Sequence, residues 1–346
     1  MPTSTWGVTF EDSLKQVLAY GSTVASAQLT RQLNAPAELS LELAINGQDT
    51  EALLTQYEFG AVYARLAEGS TTRFFGVLTD LQITAGDSAS VSATFMDLAQ
   101  QYAGSFMYRA AAGSTYVPRV LSGTHNTIID AILNTSDVLL PLTRSGSVTL
   151  TRTIATSGMS RLEVLDNLAS LAAGIDWFVT PDQTLKIGEG NVIGTNRSKT
   201  VRFQYGDSTA TALSATVQYL PPRNRVWFSG NNETASVSVA DSDTLTSQAN
   251  YGMYSVLAQD VESGSESESD FYGAQLRDFP RRVVEFVLEP SVCPRPWTDF
   301  DLGDVVGFDV FTDATTISGN QIVSGMAIEL NDQLVESGIT VSTEVF

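Results

Sequence analysis

Short apolar runs separated by Gly, Asn, Asp and Pro organise the first hundred or so residues. From Trp6 to Phe95 the runs are rich in Val, Leu, Thr, Tyr and Phe, the types that suit a pleated, half-buried strand. In Ala37-Glu38-Leu39-Ser40-Leu41-Glu42-Leu43 the leucines alternate with Ser and Glu. That pattern puts one apolar and one polar face on a strand, which Asn46-Gly47 ends as a turn. A second alternating run, Ala61 to Leu66, leads through Gly69 to Arg73-Phe74-Phe75-Gly76-Val77-Leu78. Ala85-Gly86-Asp87 then joins the next strand to Ser90-Val91-Ser92-Ala93-Thr94-Phe95. Many short antiparallel strands with frequent turns predict a sandwich or barrel.

The periodicity changes after Gly104. Thr124 stands ready to cap a helix whose Ile128, Ile129, Ile132 and Leu133 recur at helical spacing. Ser160 and Glu163 form a capping box ahead of Leu162, Leu165, Leu168, Ala169 and Ala172, with Gly174 as the C-terminal stop. Ile175-Asp176-Trp177-Phe178-Val179 reads as a strand, Pro181-Asp182 as a turn and Thr184-Leu185-Lys186-Ile187 as the returning strand. These elements predict a compact α/β segment over 105–198.

Strands return beyond Thr200, in Val226-Trp227-Phe228-Ser229-Gly230 and Ala235-Ser236-Val237-Ser238-Val239. The segment from Ser263 to Phe279 opens with Glu266, Glu268 and Asp270 and ends with Arg277 before Pro280. Charge of each sign lies where it complements a helix dipole, so a helix is predicted there. From Val305 to Phe346 strand and turn alternate, with Ser318-Gly319-Asn320 and Ser337-Gly338 as turns. The fold class is therefore α+β, mainly β: barrel domains at 1–104 and 199–346, and an α/β insert at 105–198.

Composition narrows the chemistry. The 346 residues carry 39 acidic and 19 basic side chains, a net charge of −20, which repels nucleic acid and anionic lipid. No segment resembles a leader or a membrane span, so a soluble chain folded in the cytoplasm is expected. The lone cysteine, Cys293, excludes internal disulfides and cysteine-rich zinc sites and is expected to be a buried thiol.

Candidate catalytic groups are few. His125 is the single histidine; it opens a helix, where a neutral ring with an ordinary surface role is expected, and no Ser-His-acid arrangement or two-histidine zinc site can be built. Asp299, Asp301 and Asp304 approach a calcium-loop spacing but lack its glycine and terminal glutamate. They read as loop acids, as do Asp241 and Asp243. Gly188-Glu189-Gly190 follows a strand with no helix behind it and is no phosphate cradle. Glu262 to Asp270 is a solvated acidic stretch, and Trp6, Trp177, Trp227 and Trp297 sit in apolar strand contexts that suit core packing. No catalytic, metal or cofactor site is expected, although two separated carboxylates of a glycosidase would leave no mark in the sequence.

The order of these pieces resembles the tail-hub, or baseplate-hub, family of minor tail proteins of long-tailed bacteriophages. Gln32-Leu33-Asn34-Ala35-Pro36 with the alternating leucines, then Arg73 to Leu78, look like that family's first tube-like barrel. Arg161-Leu162-Glu163-Val164-Leu165-Asp166-Asn167-Leu168, Ala173-Gly174-Ile175-Asp176-Trp177 and Leu185-Lys186-Ile187 are similar to its insert. Asn224 to Gly230, Tyr251-Gly252, the helix to Phe279 and Leu302-Gly303-Asp304-Val305-Val306 follow the order of its second half.

The resemblance implies a structural, non-enzymatic protein of the virion tail tip, assembled in the host cytoplasm. It implies a homotrimer whose two tube-like barrels per copy adapt a sixfold tube to threefold symmetry. The implied partners are the distal tail protein, the tail tube, the tape measure protein and tip or fibre proteins, with DNA passing through an acidic lumen and no membrane insertion. Some relatives continue into a peptidase, lysozyme-like or fibre module, and this chain stops at Phe346, which puts wall digestion in doubt. The rival readings are a hub of a bacterial contractile injection system, a cell-wall glycan hydrolase, and a carbohydrate-binding surface module.

Overall fold

The computed structural model describes residues 5–344 apart from 46, 58–60, 85–89, 111–115, 119, 157, 171–173, 190–192, 230–241 and 260–279. Strands hold 51% of the described residues and helices 16%, so the chain is mainly β. The strands up to Asp97 are β1 (Trp6–Glu11), β2 (Val17–Ala19), β3 (Val24–Gln32), β4 (Glu38–Leu43), β5 (Tyr63–Glu68), β6 (Thr71–Thr84) and β7 (Ser90–Asp97). They lie antiparallel in the order β3-β4-β7-β6-β5-β1-β2. Leu39, Leu41 and Leu43 of β4 are buried, with Ser40 and Glu42 on the other face. Each leucine withdrawn from water stabilises the fold by about 2 kcal/mol.

One element here is absent from the sequence reading. The chain turns at Ala44 to Gly47 and enters helix α1 (Gln48–Tyr57) directly. Its apolar signal is weak, since Leu53 is the one hydrophobic side chain it buries. Asp49 anchors it by accepting hydrogen bonds from the Gly21 and Thr23 amides and the Thr23 hydroxyl.

A 3₁₀ turn, Leu98–Gly104, leads into the middle of the chain: β8 (Tyr108–Ala110), β9 (Tyr116–Pro118), β10 (Val120–Thr124), α2 (His125–Leu133), β11 (Thr143–Ser145), β12 (Thr151–Ala155), α3 (Arg161–Ser170), β13 (Ile175–Thr180) and β14 (Thr184–Glu189). Both sequence-read caps form. Thr124 Oγ1 accepts from the Thr127 amide. At α3 the Ser160 amide donates to Glu163 and the Glu163 amide to Ser160 Oγ. The Gly174 stop adjoins residues 171–173, which lie outside the described residues. Ile128, Ile129, Ile132, Leu165, Leu168 and Trp177 form one apolar cluster with Tyr63 and Phe75 of the first sheet.

The remaining strands are β15 (Arg202–Tyr205), β16 (Ala212–Leu220), β17 (Arg225–Ser229), β18 (Ser255–Gln259), β19 (Arg281–Leu288), β20 (Val305–Phe311), β21 (Thr316–Leu330) and β22 (Glu336–Glu344), with helix α4 (Ser242–Tyr251) between β17 and β18. The predicted helix at 263–279 and the strand Ala235 to Val239 lie outside the described residues.

Two turn assignments are corrected. Ser318-Gly319-Asn320 lies within β21 and Ser337-Gly338 within β22. Both glycines answer to close packing. A Cβ on Gly319 would come within 3.0 Å of the Arg282 guanidinium, itself stacked on Phe308, and one on Gly338 within 3.0 Å of Glu329. The real turn is an Asx turn, where Asn331 Oδ1 accepts from the Gln333 and Val335 amides.

The expected pair of separate barrels is also corrected. One thirteen-stranded sheet runs through both ends of the chain in the order β16-β19-β22-β21-β3-β4-β7-β6-β5-β1-β2, with β15 and β20 branching from β21. No pairing among the described residues closes it into a barrel. The cause is β21, whose first half pairs with β20 and whose second half lies between β22 and β3. Ile328 and Leu330 thereby join the core under β3 and β4, and Val323 and Met326 join the core under β19 and β22.

A buried arginine pins this junction. Arg31 of β3 is 2% exposed, pairs with Asp301 at 2.7 Å, and lies over the rings of Phe178 and Trp297. Trp297 holds φ at +61°, a conformation a bulky residue rarely adopts. Arg73 stacks on its ring, Trp6 leans against it at 6.0 Å, and Arg295 beside it pairs with Glu336. Asn34, also left-handed, bonds both its amide edges to Asp176 and the Trp177 amide, which fastens the middle segment to the same place.

Arg31→Ala is expected to destabilise the chain by about 3 kcal/mol, because Asp301 loses its partner and the space between two rings empties. Urea unfolding with unchanged slope checks this. A pH effect follows from two other acids. Burial pushes Asp97 up to about 7 against the hydrogen bonds it accepts from the Ala37 and Ala99 amides, and burial beside Glu163 pushes Asp166 up to about 6. The folded chain therefore binds protons more tightly than the unfolded chain. Their contribution is complete below the unfolded value near 3.8 and is lost as pH rises through 6 to 7. Urea midpoints measured from pH 5 to 8 should fall, and the Asp97→Asn, Asp166→Asn double variant should show a flatter fall.

Candidate functional site: an acidic sheet face

Strand alternation gives the long sheet one face packed on the cores and one face toward solvent. Register places the outward residues of eight consecutive strands in rows. One row runs Glu329, Gln28, Ser40, Thr94, Asp80 across β21, β3, β4, β7 and β6. Another runs Thr216, Glu285, Ser342, Gly325, Gln32 across β16, β19, β22, β21 and β3. Ser26, Glu42, Ser92 and Gln82 form a third, and Thr30 with Glu38 lies between.

Six acids stand on this face: Glu38, Glu42, Asp80, Glu285 and Glu329, with Glu344 at its rim. Four of them, Glu42, Asp80, Glu285 and Glu329, are exposed. Their neighbours are hydroxyls and amides. Ser40 donates to Glu38, Ser26 to Glu42, Gln82 to Asp80 and Gln28 to Glu329. Apart from Glu344, none of the six forms an ion pair among the described residues. Arg281 is the basic side chain on this face in these strands, and it sits at the rim, paired with Glu344. Such a face offers weak hydrogen-bonding groups and fixed negative charge, and holds no cation to grip a phosphate.

The charge is divided along the chain as well. Residues 105–198 hold seven acidic and seven basic side chains, whereas residues 1–104 hold 11 and 4, and residues 199–346 hold 21 and 8. All of the net charge thus belongs to the two segments that build the long sheet.

The residues singled out in the sequence do not gather. His125 corrects the surface expectation: it is fully buried under α2, because the first turn of that helix packs against Leu150, whose carbonyl accepts from the His125 amide. Cys293 is buried, and desolvation pushes its thiol up to about 11, which leaves it inert. Asp304 accepts from the Thr195 and Asp301 amides and pairs with Arg197, Asp301 pairs with Arg31, and Asp299 accepts from the Arg295 amide. These three acids are spent on internal bonds. No group of three or more His, Cys, Asp or Glu suited to a metal occurs among the described residues.

Gly188 and Glu189 end β14, and Gly190 lies outside the described residues, as does Asp241; Asp243 falls in α4. Trp6 and Trp177 are buried as expected, Trp297 forms the junction, and Trp227 lies on β17. The Glu262 to Asp270 stretch is outside the described residues. No helix among the described residues is long and apolar enough to cross a membrane. The acids of the sheet face were missed individually, and only the polar alternation of Glu38, Ser40 and Glu42 signals them.

No family model matches the chain, and no curated protein matches it in sequence. Solved structures share its fold. A 43 kDa tail protein of prophage MuSo2 from Shewanella oneidensis superposes with a TM-score of 0.62 at 12% identity, over 98% of each chain. A tail protein from Neisseria meningitidis MC58 gives 0.59 at 9% identity, over 99% of this chain and 96% of its own. An Escherichia coli component of the type VI secretion system, described as structurally similar to the T4 bacteriophage tail proteins gp27 and gp5, gives 0.50 at 12% identity over 93% of this chain and 73% of its own. The chain has the fold of bacteriophage tail proteins.

Proposed function

We propose that the chain is a structural protein of a phage tail and not an enzyme, and that it acts as the hub at the tail tip. Three copies form a ring that closes or extends the tail tube. Segments 1–104 and 199–346 act as two tube-like halves in each copy, which adapts a sixfold tube to a threefold tip, and 105–198 is the insert. The ring meets the distal tail protein, the tube, the tape measure protein and the tip or fibre proteins, and its lumen is the DNA exit channel.

One observation carries the reading: a sheet face common to both halves, with six acids on it and no basic side chain inside its rim. Turned to the lumen, it repels the phosphate backbone and lets DNA slide. The fold shared with tail proteins over nearly the whole chain supports the address. The likeness to the type VI component supports a second reading, the hub of a contractile injection system. That reading shares the ring and asks no repulsion of DNA.

Light-scattering mass and negative-stain images of the purified chain, alone and with its neighbouring tail proteins, should show a threefold ring with a central hole; a monomer under both conditions would overturn the hub. A second experiment tests the channel. The unaltered chain should not retain duplex DNA at 50 mM salt, whereas the Glu38→Lys, Glu42→Lys, Glu329→Lys variant should bind it. Three phosphate contacts predict roughly a 40-fold loss of that binding between about 50 and 200 mM salt. Tight binding by the unaltered chain removes the DNA-channel reading.

A further inference from the structure

The strands of the acidic sheet end on two unlike sides. On one side Leu220 of β16 lies opposite Arg281 of β19, Val283 opposite Glu344, Glu38 opposite Met96, and Gly76 opposite Asp97. Both long departures from the sheet begin here. After Asp97 the chain enters the 3₁₀ turn and then the middle segment. It rejoins the fold where Asn196 bridges to Val305, which pairs with Ile322 and through it lies level with Glu344. After Leu220 the chain makes the 221–280 excursion, with β17, α4 and β18, and returns at Arg281.

The other side is flush. There Leu330 lies opposite Ala27 and Glu336, Leu43 opposite Val24 and Val91, and Leu288 opposite Ala212. The described connections are compact: the Asx turn at Asn331, the turn from Ala44 into α1, and 206–211, whose Thr211 carbonyl accepts from the Glu289 amide. Charge is one-sided as well. Glu51, Asp207, Glu289 and Asp332 stand on the flush side, and all but Glu289 are exposed. These three connections hold no lysine or arginine, and Arg295, in the chain that follows β19, is held by Glu336 at 2.6 Å. Exposed Arg223 lies on the opposite side, just after β16.

We infer that the flush side seats the ring on a coaxial ring of another tail protein, one with a basic rim, and that the side bearing both departures faces the tip. This rests on the ring and channel proposed above and gives them a direction. At roughly 4.8 Å per strand and 3.3 Å per residue, the sheet measures about 38 Å across its eight strands and about 20 to 30 Å along them. With its acidic face toward the lumen, the broad direction wraps the channel and the strands run from mouth to mouth, as they do in barrels. A channel that continues into a neighbouring ring needs a mouth with nothing projecting beyond it. The flush side meets that need. Its acids repel a second copy of the same rim and complement a cationic one.

Mixing the full chain with the purified tube-side tail proteins tests the direction, and negative-stain images should show stacked rings. Asp207→Lys with Asp332→Lys should leave the lone ring intact and weaken stacking about tenfold. Raising salt from about 50 to 500 mM should weaken the unaltered stack as well. Arg223→Glu with Leu245→Ser, on the opposite side, should leave stacking unchanged. Stacking that the Asp207, Asp332 variant retains in full, that the Arg223, Leu245 variant loses, or that ignores salt overturns the inference and leaves the hub reading standing. So does a ring that forms but stacks on none of those proteins. A chain that forms no ring, with or without them, overturns the hub reading and the inference with it.

Discussion

The architecture depends on β21 serving two neighbours at once. At fifteen residues it is nearly three times as long as a common strand, and it meets β20 with one half and both β22 and β3 with the other. Because β3 is drawn into the same hydrogen-bond ladder as β22, the two ends of the chain form one sheet and their cores meet along a single strand. The Arg31, Trp297 and Asn34 contacts gather around that seam. A guanidinium so deeply desolvated is tolerated there because it has a carboxylate at 2.7 Å and two ring faces.

The same continuity decides where the charge can go. The inner side of the sheet is filled by leucines, valines and phenylalanines, so charge on these strands is pushed to the outer side or into internal pairs. Asp301, Asp304 and Asp309 take the second course, each with an arginine. Glu38, Glu42, Asp80, Glu285 and Glu329 take the first. The middle segment, with balanced charge, packs on the sheet around Tyr63 and Phe75 and meets the other core through Phe178 and Ile193.

Features with local causes were legible in the sequence. The Thr124 cap, the Ser160 and Glu163 box, the hairpin from Ile175 to Ile187 and the leucine alternation of β4 each depend on residues a few positions apart. Features set by distant partners were not. Nothing near Thr316 announces that its strand will run for fifteen residues or that β3 will be its neighbour, and Gly319 and Gly338 look like turn residues until Arg282 and Glu329 are seen across from them. A helix start alone suggests a surface place for His125, and the packing of α2 that buries it is set by distant residues. The acidic face needed register above all: the acids are countable in the sequence, but their shared side is a property of eight aligned strands.

That face has a thermodynamic consequence for anything threaded past it. Proteins hold nucleic acid largely because their lysines and arginines displace cations condensed on the phosphates, and the released ions gain entropy. In the proposed channel neither surface can release ions to the other. The carboxylates keep their own mobile cation layer, DNA keeps its sheath, and two clouds of the same sign slide past one another. The channel wall then has no entropic adhesive at any salt concentration, and the drag on the moving strand is that of the intervening electrolyte.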